Sequence, residues 1–236
     1  NLEFGIPGGS SDADLSFYGT LLAQHGGQLY TQDGRKSALD TKTALGCFKM
    51  WTELYTSYGV PIDYDALNRF RTGEMPIVVT DLSFYNSLSV FAPELRGDWS
   101  FTEIPGVAAA DGSVDNVSVS TGLCCFVLRQ SKKTALAWDF LKWWTSAKAQ
   151  TGYGRGIESI QGAAARYPSA NMEAVKALPW KAKDMQLILA QLEKARPNSE
   201  VPGGYYTGRY IENALRDVLT RNEDPRATLL DYVTTI

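Results

Sequence analysis

Apolar residues recur at helical spacing through most of this chain, and short apolar runs of a few residues interrupt them. Leu15, Tyr18, Leu21 and Leu22 fall three or four apart and predict a helix that Asp12 or Asp14 caps and Gly26-Gly27 ends. Leu29 to Thr31 is a short strand candidate before the turn signal Asp33-Gly34. Asp40 or Thr41 then caps a long helix carrying Ala44, Leu45, Phe48, Trp51 and Leu54, stopped at Gly59 and Pro61.

The pattern alternates onward. Asn68 to Thr72 suits a short helix ended by Gly73, and Met75 to Thr80 reads as a buried strand, with Asp81 at the step from strand to helix. Leu82, Tyr85, Leu88 and Phe91 share one helical face that Pro93 ends. Trp99 to Ile104 and Leu123 to Leu128 read as strands around the turn Asp111-Gly112. Ser131 caps a strongly apolar helix with Ala135, Trp138, Leu141 and Trp144, expected to be buried on more than one side. Beyond it no strand is expected. The helices there are Met172 to Leu178 capped by Asn171, Met185 to Leu192, Tyr210 to Leu219 after the loop Val201 to Gly204, and a last one opened by Asp224-Pro225. Strands alternating with helices and followed by a helical tail predict an α/β class.

Composition narrows the chemistry. At 236 residues and 44% hydrophobic, the chain can bury a large core without staples. A net charge of −3, with no run of like charges, argues against nucleic acid as a partner. No apolar stretch reaches the roughly 18 residues of a membrane span. Cys47, Cys124 and Cys125 show no metal or haem spacing and are expected to be buried packing thiols. Asn1 in place of Met implies a start inside a longer gene product.

Few residues suit catalysis or metal binding. The single histidine, His25, sits at a helix end before two glycines, where a cation is favoured for structural reasons. Asp63, Asp65 and Asn68 hint at calcium, but Asn68 stands where the loop needs Gly, and only Glu74 fits the closing position. Gly152, Gly154 and Gly156 follow no strand and so make a poor phosphate cradle. Neither a metal nor a cofactor is expected. Asp81 at a strand end and Glu158 in a glycine-rich stretch are the best-placed carboxylates for a glycan-acting hydrolase, which needs two of them across a sugar bond.

Six Trp, twelve Tyr and nine Phe are the more informative excess. Sugars present C–H faces rimmed by hydroxyls, so sites for them combine rings with short polar side chains and a forked donor such as Arg. Three segments have that composition: Asp14 to Tyr18, Asp81 to Asn86, and Gly203 to Arg209.

Five stretches resemble the bacterial extracellular solute-binding proteins of carbohydrate ABC transporters, the maltose-binding-like class. They are Leu21 to Gly27 with the following helix, Phe70 to Ile77 with its F-x-x-G step, and Trp99 to Gly106 with Gly122 to Leu128. The remaining two are Ser131 to Trp144 with its S-K-x-x-x-x-A-x-x-F-L pattern, and Val201 to Leu219. Glu74 departs from the usual Lys after the glycine of that step. The resemblance implies a type II periplasmic-binding-protein-like α/β fold, mostly the C-terminal lobe with an incomplete N-terminal lobe. Residues 1–97 and 151–236 would belong to the second lobe and 98–150 to the returning part of the first. It further implies non-catalytic capture of a sugar or oligosaccharide outside the cell, at the cell surface or in the periplasm. Delivery would be to ABC permease subunits, with membrane contact only through a lipid anchor outside this sequence. Ligand contacts are implied at Ser16, Phe17 and Tyr18, at Ser83 and Tyr85, and at Tyr205 with Arg209. Asp81 and Tyr206 join them from the composition of their segments.

Overall fold

The computed structural model describes residues 3–6, 15–120 and 122–236. In chain order the elements are β1 (Phe4–Gly5), α1 (Ser16–Gln24), α2 (Lys42–Thr56), α3 (Ala66–Arg71), β2 (Ile77–Val78) and α4 (Ser83–Phe91). They continue with β3 (Val107–Ala108), β4 (Val114–Asp115), β5 (Ser118–Ser120), α5 (Thr134–Trp144), α6 (Ala147–Gln161) and α7 (Met172–Ala177). The last are α8 (Ala182–Lys194), β6 (Ala195–Pro197), α9 (Gly204–Arg221) and α10 (Pro225–Val233). The chain divides into two compact units, one of Asn1–Thr80, Ile104–Thr121 and Lys194–Ile236, the other of Asp81–Glu103 and Gly122–Glu193.

In the first unit, strand pairs are short and helices carry the core. β1 pairs parallel with β2, β5 pairs parallel with β6, and β3 with β4 forms an antiparallel hairpin. The Asp111-Gly112 turn closes that hairpin, with Gly112 in the left-handed region at φ 83° and the Asp111 carboxylate accepting from the Ser113 backbone at 2.9 Å. Thr41 caps α2 through Ala44 N–H, and Asp224 caps α10 through Ala227 N–H at 2.8 Å. Phe48 and Trp51 of α2 are fully buried with Tyr18 of α1: Tyr18 stacks on Trp51 at 5.5 Å and meets Phe48 edge-on at 5.9 Å. The Tyr18 hydroxyl donates to the Ala44 carbonyl at 3.1 Å. Ile211, Ala214, Leu215 and Val218 of α9 and Leu229 of α10 complete this core. Gln24, at the end of α1, donates to the carbonyls of Pro105 and Val117, each at 3.0 Å, and the Thr20 hydroxyl accepts from Val119 N–H.

The second unit is helical apart from its loops. Asn171 caps α7 by accepting from Ala174 N–H at 3.0 Å. Gly154 of α6 lies against α7's end, where a Cβ would stand 2.6 Å from Leu178 Cδ2 and would require that side chain to move. Val175, Leu178, Trp180 and Ile188 form the buried cluster.

Several expectations are corrected here. Leu123 to Leu128 and Trp99 to Ile104 are not strands, and Met75 to Thr80 contributes only the two residues of β2, with Ile77 60% exposed. An apolar run becomes a strand only where a neighbouring strand takes up its backbone groups, and none pairs with 123–128 among the described residues. Cys124 and Cys125 are therefore exposed, and only Cys47 is buried. Helix α5 has no buried residue: Trp138, Phe140 and Trp143 are all more than half exposed. Gly152 to Gly156 lie inside α6, and β6 is a strand that its composition did not announce. The caps expected at Asp12 or Asp14 lie outside the described residues; among those described, Leu15 stands at the N-cap position of α1 and makes no side-chain cap bond.

Trp51 is 0% exposed, so Trp51→Ala should cost about 3–5 kcal/mol, the usual loss for a large core ring. Tyr18→Phe, which removes one buried hydrogen bond and keeps the ring, should cost about 1 kcal/mol. Urea titrations followed by circular dichroism check both; equal midpoints for the two variants would contradict the packing described.

Candidate functional site

The expected ligand contacts separate into residues that the fold consumes and residues that it presents. Tyr18 is consumed: it is 0% exposed, and burial together with the neighbouring Cys47 holds its phenol far above the usual range. Phe17 is half-buried and packs against the same core, and Ser16 begins α1 beside it. This segment is a core element because its rings fall on the helical face turned towards α2.

At the other end of the first unit, Tyr205, Tyr206 and Arg209 are presented. They sit in the first turns of α9 and not in a loop, since the helix starts at Gly204 after Gly203, whose φ of 89° suits glycine. Tyr205 and Tyr206 are 69% and 65% exposed, and their rings meet edge-on at 5.7 Å and 75°. Arg209 follows Tyr205 by four residues, so both lie on one helical face. Its Nη1 donates to the Tyr205 hydroxyl at 3.3 Å, and its guanidinium carbon stands 6.0 Å from that ring's centre. The result is an exposed group of two rings and one forked cation, anchored by the buried Thr207 and Ile211 of the same helix.

In the second unit, Asp81 and Ser83 open α4. The Asp81 carboxylate accepts from Ser83 N–H at 2.7 Å, which ties it to the helix start, and both residues remain exposed. Tyr85 points elsewhere. Its ring meets Trp99, Phe101 and Trp180 edge-on at 5.3, 5.6 and 5.4 Å, and its hydroxyl donates to the Asp184 carboxylate at 2.7 Å. Burial, then the Asp184 carboxylate, push its phenol up to about 12.

Glu158, the second carboxylate considered for hydrolysis, lies on α6 in a forked ion pair with Arg166. Arg166 Nε donates to one carboxylate oxygen at 2.9 Å and Nη2 to the other. That pairing, followed by burial acting in the opposite sense, raises the Arg166 guanidinium above its ordinary value. Arg166 also lies over the Trp180 ring at 4.8 Å, so Glu158 holds a packed arginine.

The remaining candidates have structural roles. Asp65 caps α3, accepting from Asn68 N–H at 3.1 Å and from the Asn68 amide at 2.6 Å. His25 ends α1, its Nδ1 donating to the Leu21 carbonyl at 2.8 Å. Among the described residues no three His, Cys, Asp or Glu side chains converge as a metal would need.

Asn86 closes a segment that composition selected but was not singled out within it, and Ser87, Phe91 and Arg166 lie outside all three segments. The signal that finds the first three is spacing: with Ser83 they occupy positions i, i+3, i+4 and i+8 of one helix, a single face.

The fold defined by these elements is that of the type II sugar-binding proteins of ABC importers. A solute-binding protein of an ABC transporter from Thermotoga lettingae, solved with α-D-tagatose, superimposes with a TM-score of 0.73 at 19% identity, over 99% of this chain and 58% of its own. The sugar-binding protein MalE from Xanthomonas citri gives 0.76 at 12% identity, over 99% and 57%. The maltodextrin-binding domain MalE from Bdellovibrio bacteriovorus, bound to maltotriose, gives 0.63 at 17% identity, over 99% and 59%. This chain thus spans under two thirds of each of these structures. No curated protein sequence matches it. The family model described as bacterial extracellular solute-binding protein matches residues 3–182, and the chain belongs to that family.

Two measurements check the second unit. Glu158→Gln removes the charge that compensates Arg166 in a setting where both side chains are about 15% exposed or less, so it should cost about 3 kcal/mol in urea unfolding. A loss under 1 kcal/mol would mean that the pair is not formed. Tyr85 is held protonated by the fold. The stability it contributes is therefore complete below pH 10, the ordinary tyrosine value, and is lost as pH rises from there through about 12. Tyr85→Phe should abolish that part of the alkaline loss, and the difference in tyrosinate absorbance between the two proteins should titrate near 12.

Proposed function

We propose that this protein captures a carbohydrate, with an oligosaccharide preferred over a single sugar, outside the cell and hands it to an ABC importer without making or breaking a bond. The observation that carries the reading is the exposed Tyr205–Tyr206–Arg209 group at the start of α9. Rings held in the open by a helix whose other face is core offer flat apolar surface for C–H faces, and the guanidinium beside them orients hydroxyls. Taken by itself, the second unit offers Asp81 and Ser83, exposed at the start of α4, as candidate polar contacts.

Support comes from the family, whose members are binding proteins, and from solved structures of the same fold carrying α-D-tagatose and maltotriose. By analogy with them, the partners are permease subunits of an importer, and attachment to the membrane is through a lipid anchor. Residues 1–97 and 151–236 are assigned to one lobe and 98–150 to the other. Hydrolysis by Asp81 or Glu158 has less support: Glu158 is held by Arg166 and Asp81 by the start of α4, so neither is placed as a free acid.

Calorimetric titration with maltotriose and with D-tagatose should give saturable binding to at least one. Tyr205→Ala should weaken it about tenfold, the equivalent of 1.4 kcal/mol, and Arg209→Ala by a similar factor. Unchanged affinity in both variants overturns the site. Turnover of chromogenic glycosides that disappears in Asp81→Asn would overturn the non-catalytic reading.

A further inference from the structure

The second unit contains a cavity that none of the residues discussed as ligand contacts, apart from Ser83, explains. One wall is the face of α4 that carries Ser83, Asn86, Ser87 and Phe91; the other is the stretch Ala164–Pro168 that follows α6. Its volume is about 270 Å³, close to the lower end of the ~300–1,000 Å³ typical of small-molecule sites, which is room for one ring and not for a chain.

The lining has the chemistry of a neutral polyol site. Two serine hydroxyls and one carboxamide stand on the helical wall, and alanine methyls and Pro168 face them from the other. Phe91 also lines the cavity and is 60% exposed, a flat surface left uncovered at a helix terminus. The charged side chain among the lining residues, Arg166, has its guanidinium turned to Glu158 and Trp180.

Asn86 supplies the independent observation. It is 8% exposed, its Nδ2 donates to the Arg166 carbonyl, and its Oδ1 has no partner among the described residues. A buried amide oxygen without a donor is costly, and a small turn of the Asn86 side chain towards the cavity would let a ligand hydroxyl supply the missing hydrogen. A sugar hydroxyl can do so and still accept from Ser83, and another can donate to Ser87, whose own hydrogen goes to the Ser83 carbonyl.

We infer that this cavity is a subsite for a single neutral sugar ring, with Asn86 and Ser87 as hydrogen-bonding residues and Phe91 as its stacking surface. The inference rests on the carbohydrate reading above and extends it from the N-terminal tip of α4 along one whole face. It also reassigns the aromatic contact of this helix, because Tyr85 is packed on the opposite side and Phe91 is the ring left free.

The test uses the full chain with maltotriose and D-tagatose as probes, read by calorimetry and by saturation-transfer NMR. Phe91→Ala, a change at an exposed position, should weaken binding about tenfold. Ser87→Trp, which fills the cavity, should abolish it while the circular dichroism spectrum and unfolding midpoint stay those of the parent. Should Ser87→Trp misfold, Phe91→Ala together with Ser87→Ala decides. Parent-like affinity in these variants, with Tyr205→Ala still weakened, overturns the subsite and leaves the carbohydrate reading standing. No saturable binding of either sugar by the parent chain removes that reading and the subsite with it.

Discussion

The hydroxyl of Tyr18 has to be satisfied inside a fully buried core, and the carbonyl of Ala44 is what satisfies it. That single bond fixes α1 against the first turns of α2, and the stacking of Tyr18 on Trp51 sets the angle between them. From there the first unit is determined in sequence. Helix α1 holds the β5 region through Thr20 and Gln24, while α9 and α10 lay Ile211, Leu215, Val218 and Leu229 on the same core. The exposed pair Tyr205–Tyr206 is then a consequence of how α9 is seated. Burying Thr207 and Ile211 leaves the two rings before them on the solvent side.

Tyr85 plays the matching part in the second unit. It joins Trp99, Phe101 and Trp180 on one side of α4, with Asp184 taking its hydroxyl. Arg166 bridges this ring cluster to Glu158, so a forked ion pair and a cation over a ring face secure the wall opposite α4. Helix α4 thus has one face spent on holding the unit together and one face left for Ser83, Asn86, Ser87 and Phe91.

Helix ends were the most legible part of the chain. Thr41, Asn171 and Asp224 cap the helices their spacing indicated, because a cap depends on a side chain and an amide three residues away and on nothing distant. Strands were poorly legible. Those present are two or three residues long, and their pairing joins β1 to β2 and β5 to β6 across long stretches of sequence, which no local pattern records. The site fell between these limits. Composition marked three segments, yet within them a ring that packs and a ring that faces solvent have the same letter. Tyr18 and Tyr85 are anchors, whereas Tyr205 and Tyr206 are surface, and only the register of each helix against its neighbours separates them. Cys124 and Cys125 show the converse error, since an apolar run promises burial only when something lies against it.

The parallel pairing of Ser118–Ser120 with Ala195–Pro197 also governs the order in which the molecule can be completed. All of residues 122–193 lie between those strands in the sequence. During synthesis at roughly 5–20 residues per second, on the order of 4–15 s separate the appearance of the first strand from that of the second. For that interval α1 can hold β5, but the ladder that closes the sheet has no second edge, and α9 and α10, which cover Trp51, have yet to be made. Residues 122–193 are therefore made as an insert within a first unit still open, and residues 195–236 seal both the sheet and the core together.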